Sequence, residues 1–135
     1  METKILNRGA KFCHVSTGAL NGCEEKQFIK ALTGATSCEI SFASLATGAS
    51  VPFFHSHKEN EEHYIILSGK GKFQINNEVF TIAEGSVVRV GTNCDRNLKC
   101  TSSEPMRYIC IQAKEGSLEN YTMADAEITE RSNLL

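Results

Sequence analysis

Short runs of alternating apolar and polar residues dominate the chain, and Gly, Ser, Thr and Asn interrupt them at regular intervals. The alternation is plainest just after residue 37. There Cys38, Ile40 and Phe42 fall on one side of an extended chain, and Glu39 and Ser41 fall on the other. Read in this way, the pattern predicts strands over 26–32, 37–46, 53–57, 62–67, 71–75, 78–82, 86–90, 97–101 and 106–113. Strands spaced by about 8–12 residues with turn signals between them are the mark of an all-β sandwich or barrel. Asn76-Asn77 lies between two of the strands and predicts a tight hairpin, because asparagine tolerates the positive φ of such a turn. Gly69 and Gly71 predict a second sharp reversal. Residues 1–25 have no sustained period and are read as an N-terminal arm or edge strand. Residues 26–114 are read as a single barrel, since no repeat or linker divides them. Residues 115–135 are a polar tail, in which Thr122-Met123-Ala124-Asp125 resembles a weak capping box for a short helix to about Glu130.

Composition narrows the classes. At 135 residues, with 41% hydrophobic and 22% charged, the chain can bury a core and is not disordered as a whole. The net charge of −2 and the lack of any basic block speak against a nucleic-acid surface. The longest stretch without Asp, Glu, Lys or Arg, 40–57, contains Ser, Thr, Gly, Pro and two His, so no membrane span is predicted. The first residues, METKILNRGAKF, have no apolar signal region, and the expected location is cytoplasmic. Cys13, Cys23, Cys38, Cys94, Cys100 and Cys110 form no C-x-x-C pair and are read as reduced thiols.

The candidate chemistry is concentrated between residues 55 and 63, which hold three of the 4 histidines. His55 and His57 stand at i and i+2, so in an extended strand both imidazoles leave the same face and can meet one metal ion. A carboxylate would complete a site that leaves other positions open, as reactive metal sites do. Glu62 opens the apolar run Tyr64–Leu67, and if it faces inward then Glu61 and His63 face outward. His14 is isolated and has no assigned role.

These residues carry a resemblance. Gly48, six residues, His55-x-His57, four residues, Glu62, six residues and Gly69 are similar to the first signature motif of the cupin superfamily, and the last spacing selects Glu62 over Glu61. The similarity covers roughly residues 36–113. It implies an all-β jelly-roll barrel with a metal inside, held by His55, His57 and Glu62. The metal would be a divalent transition ion (Fe, Mn, Ni or Zn), the partners a small-molecule ligand and a second copy of the chain in a homodimer. The second motif departs from the family pattern. After Gly85 and five residues, Gly91 stands at the usual Pro and Asn93 at the usual Gly, while Arg96 replaces the third histidine and Cys100 the usual Asn. If Arg96 points inward, it brings a permanent cation to the pocket, either to bind a substrate carboxylate or phosphate or to pair with Glu62 in place of a metal. If the 94–98 loop is rebuilt, Arg96 faces solvent. Cys100 is read as a core residue in preference to a soft ligand. Tyr64 shares the parity of Glu62 and either lines the pocket with Arg96 as a substrate-binding residue or packs in the core. The functional expectation is a metal-dependent enzyme of dioxygenase or isomerase type acting on a small polar metabolite. The alternative is a non-catalytic binding or sensing module.

Overall fold

The computed structural model describes residues 3–20 and 25–135. In chain order the elements are β1 (Lys4–Arg8), β2 (Cys13–Ser16), β3 (Gln27–Phe28), the single-turn helix α1 (Lys30–Thr33), β4 (Glu39–Leu45), β5 (Asn60–Ser68), β6 (Lys70–Ile75), β7 (Glu78–Ala83), β8 (Val87–Val90), β9 (Arg96–Cys100) and β10 (Met106–Lys114). One sheet has the order β3-β4-β10-β5-β8, a second has β7-β6-β9, and β1 and β2 form a separate hairpin. Among the described residues, no helix is long and apolar enough to cross a membrane.

The core fills the space between the five-stranded and three-stranded sheets. Tyr64, Ile66, Met106 and Tyr108 reach it from the first, and Phe73, Leu98 and Cys100 from the second. The Tyr64 and Phe73 rings meet edge to face with centroids 5.0 Å apart, which ties the sheets together. Ile66 and Phe73 are essentially fully buried, and each contributes about 1.5–3 kcal/mol of apolar transfer. Period-2 burial is visible in β5, where Glu62, Tyr64 and Ile66 are buried between less buried neighbours. Gly69 has a φ of 84° at the β5–β6 reversal, a conformation that L side chains rarely adopt. Gly71 is needed for a different reason: a Cβ there would lie 2.1 Å from the Lys99 carbonyl oxygen of β9.

Several sequence expectations are corrected. The strand expected over 26–32 is confined to β3 and is followed by α1. The strand expected over 53–57 does not form, and the backbone pairing of that segment with β9 is an isolated bridge between His55 and Arg96. The helix expected from Thr122 to about Glu130 is only a 3-10 turn at Thr122–Ala124. In β4 the alternation is present, but Ser41 and Ala43 are the buried residues. Ile40 and Phe42 lie on the outer face, where Phe42 is level with Ile109 and Ile65 of the neighbouring strands. The inward Ser41 is satisfied by donating to the Cys110 carbonyl at 3.4 Å. Within the 1–25 arm, the described part is the β1–β2 hairpin. Cys13, Cys38, Cys94, Cys100 and Cys110 are free thiols, and Cys23 lies outside the described residues.

Candidate metal centre

Strand parity puts the carboxylate in place. Glu62 is the first buried residue of β5 and points between the sheets, 3% exposed. His55 and His57 lie on the segment before β5, and two backbone bonds tie that segment to the other sheet. The Arg96 amide donates to the His55 carbonyl at 3.1 Å, and the Asn93 amide donates to the His57 carbonyl at 2.8 Å. Asn93 makes its turn with a φ of 55°, the role expected for it at the usual glycine position. Asn97 adds side-chain bonds to the carbonyls of Val51 and Phe53.

The result is a convergence on one oxygen. Oε1 of Glu62 lies 3.5 Å from His55 Nε2 and 3.4 Å from His57 Nε2. One ligand atom from each of the three residues lies within 4.8 Å of the others. Two imidazole nitrogens and a carboxylate oxygen at this spacing fit a divalent transition ion, and in both histidines it is Nε2 that faces the carboxylate. Arg96 points inward, as one of the two sequence alternatives required: its side chain has no exposed surface, and Nε stands 3.7 Å from the same Glu62 oxygen. Its Nη1 donates to the His55 carbonyl at 3.2 Å. Tyr64 both belongs to the core and lines the pocket, donating its hydroxyl to Glu62 Oε1 at 3.0 Å.

A family model described as a cupin domain matches residues 41–112. The chain belongs to the cupin family. It is 39% identical to a cupin protein from Bacteroides fragilis whose crystal structure it matches with a TM-score of 0.75, over 79% of this chain and 91% of that one. A predicted oxalate decarboxylase from Thermotoga maritima shares the fold at 24% identity and a TM-score of 0.53, with 56% of this chain and 64% of that one covered. An uncharacterised protein of Methanocaldococcus jannaschii is 27% identical over 81 residues, 60% of this chain. This cupin spans 61% of the length of that relative.

Cys110 is a site residue that sequence reasoning missed. Its thiol donates to the second Glu62 oxygen, Oε2, at 3.1 Å, so each carboxylate oxygen of this cupin has a fixed donor. The inward parity of Cys110 is legible in β10, but its place beside Glu62 depends on the pairing of β10 with β5, which the sequence does not display. Burial would raise the pKa of Glu62. The Cys110 thiol, His57, the Tyr64 hydroxyl and Arg96 together outweigh it and hold the carboxyl below its usual range. Burial and the adjacent Glu62 charge push the Cys110 thiol up to about 12, so it stays a neutral donor. Tyr64 is raised by burial first, and the Glu62 charge that its hydroxyl faces adds to it. His55 is lowered, by burial first, with Arg96 and His57 adding to it and Glu62 opposing. A neutral imidazole is the form that ligates a metal.

The remaining candidates lie elsewhere. Cys100 is fully buried in the core and is not part of the ligand cluster. His63 shares β5 with Glu62 at opposite parity, and His14 is exposed on β2. Gln74 donates to the Asn76 carbonyl at 2.7 Å, away from the site.

Proposed function

We propose that this cupin is a metal-dependent enzyme of oxidoreductase or isomerase type acting on a small polar metabolite, with a divalent Fe, Mn, Ni or Zn ion held by His55, His57 and Glu62. The observation that carries the reading is the convergence of both His Nε2 atoms, at 3.5 and 3.4 Å, on a carboxylate oxygen at the floor of a cavity. A metal held there would polarise a substrate oxygen or activate dioxygen. The chain's own residues prepare the site for it. Tyr64 and Cys110 orient Glu62 by one hydrogen bond to each oxygen. The backbone bonds from Arg96 and Asn93 hold the two histidines in place. Arg96 adds a fixed, buried cation 3.7 Å from the same Glu62 oxygen.

A second reading, a non-catalytic module that binds or senses a small molecule, is favoured by Arg96 itself. It stands where a third histidine ligand is usual and instead pairs with Glu62. Metal content and turnover separate the possibilities. Elemental analysis of protein purified without chelator is expected to find up to about one transition metal per chain. His57→Ala is expected to lose the metal while keeping its far-ultraviolet circular dichroism. Wild-type protein that stays metal-free after incubation with Fe(II), Mn(II), Ni(II) and Zn(II) would overturn the metal reading. Thermal shifts across a metabolite screen without any metal-dependent product would favour the binding module.

A further inference from the structure

The cavity above the Glu62 carboxylate has a volume of about 240 Å³. At about 30 Å³ for each water's share of liquid, that is room for roughly eight water-sized groups. Its ionisable lining is unbalanced: Arg96 and Lys26 are permanent cations, and Glu62 is the one carboxylate among the lining residues. A divalent ion at His55, His57 and Glu62 would raise the positive excess further. A site of this charge is best neutralised by an anion.

The guanidinium shows where that anion would bind. Nη1 of Arg96 is used by the His55 carbonyl. Nε and Nη2, which lie along one edge of the planar group, have no hydrogen-bond partner among the described residues and almost no surface open to the cavity, so an anion reaches them by displacing a neighbouring side chain. Glu62 Oε1 is 3.7 Å from Nε, close enough for charge attraction but too far for a hydrogen bond. Two adjacent donors on one edge match the two oxygens of an oxyanion, and leaving them buried and unpaired is unfavourable. The walls are of a different kind. Val51, Phe53, Tyr64, Leu98 and Tyr108 present apolar and aromatic surface. At the mouth, the Lys26 ammonium lies 5.2 Å from the centre of the Phe28 ring.

We propose that the ligand of this cavity is a small organic carboxylate with a flat, apolar body, anchored by the Nε–Nη2 edge of Arg96. The single free fork suits a monoanion. A phosphate ester carries more charge and a third oxygen, which one two-donor fork does not serve. The assignment rests on the metal-site reading for its setting, since it places the carboxylate beside the site of His55, His57 and Glu62, but its test does not depend on a metal.

Benzoate and benzamide have the same shape and differ in charge, so they serve as probes. Calorimetric titration is run on chelator-treated protein and on protein loaded with Zn(II). Wild-type protein is expected to bind benzoate at least about tenfold more tightly than benzamide in both states. Arg96→Gln is expected to lose most of that discrimination, and Arg96→Lys to keep part of it, because lysine retains the charge without the fork. Equal binding of the two probes by wild-type protein would overturn the proposal, and that comparison needs no variant to fold. Full benzoate affinity in a folded Arg96→Gln protein, or displacement of benzoate by equimolar inorganic phosphate, would overturn it as well. Metal-free protein that takes up no Zn(II) yet prefers benzoate would sink the metal reading and leave the carboxylate assignment standing. Zn(II)-loaded protein without the preference would do the reverse.

Discussion

At Arg96 a guanidinium with no exposed surface faces a carboxylate that is also the natural third ligand of a metal. The two roles compete, because a fixed positive charge near the site repels a second cation. Arg96→His would remove that charge and supply a nitrogen at the family's usual ligand position. Chelator competition is expected to show metal bound at least about tenfold more tightly, or roughly 1.4 kcal/mol. Arg96→Ala should gain less, since it removes the repulsion and adds no ligand. Equal affinities in all three proteins would show that the guanidinium has no influence on the metal. The approach of Arg96 to the site was one of two alternatives that its place in the second motif left open; the turn at Asn93 forms, and the residue at 96 points inward. The partnership of Cys110 with Glu62 was not, because it arises between strands that lie 48 residues apart in sequence.

Among the elements, those whose burial follows a two-residue period were legible, and those fixed by distant groups were not. The segment 26–32 has enough apolar content to resemble a strand. It turns into α1 because the Glu39 carboxylate, on β4, accepts from the amides of Ile29 and Lys30 at 3.1 and 3.0 Å. Gly34 then closes the turn at a φ of 76°. The segment 53–57 is kept from extended pairing by Pro52, which has no amide to donate, and by the hold of β9 on a single residue. The tail lacks the buried face that sustains a short helix, since every residue from 115 onward is exposed. The most sharply constrained contact between elements is that of β6 with β9 at Gly71. Gly71→Ala would place a methyl 2.1 Å from the Lys99 oxygen and 2.9 Å from the Met106 sulfur, forcing the strands apart. Urea unfolding is expected to show a loss of about 2–3 kcal/mol. Gly91→Ala, whose Cβ would meet nothing within 4 Å, is the control and should change stability by less than about 0.5 kcal/mol.

For the whole molecule, the outer face of the five-stranded sheet suggests how copies meet. Phe42, Ile109, Ile65 and Val87 are level with one another across four strands, with Ile40 and Ile111 in the next row. Val87 is 64% exposed. We propose that this face forms the interface of a homodimer. Sedimentation equilibrium is expected to give a dimer for the wild type and a monomer for Ile65→Arg, and a wild-type monomer at micromolar concentration would refute the assignment. The walls of the cavity have an optical consequence too. The chain has no tryptophan and 3 tyrosines, so its ultraviolet emission comes from tyrosine alone. Tyr64 and Tyr108 line the cavity, and Tyr121 is exposed in the tail. Open-shell ions quench the excited state of a nearby ring, whereas closed-shell Zn(II) does not. Titration with Ni(II) is therefore expected to dim the emission until the site is filled, while Zn(II) should change it far less. In Tyr121→Phe protein, what emission remains would come from the cavity wall alone, and the protein would carry its own lamp inside the site.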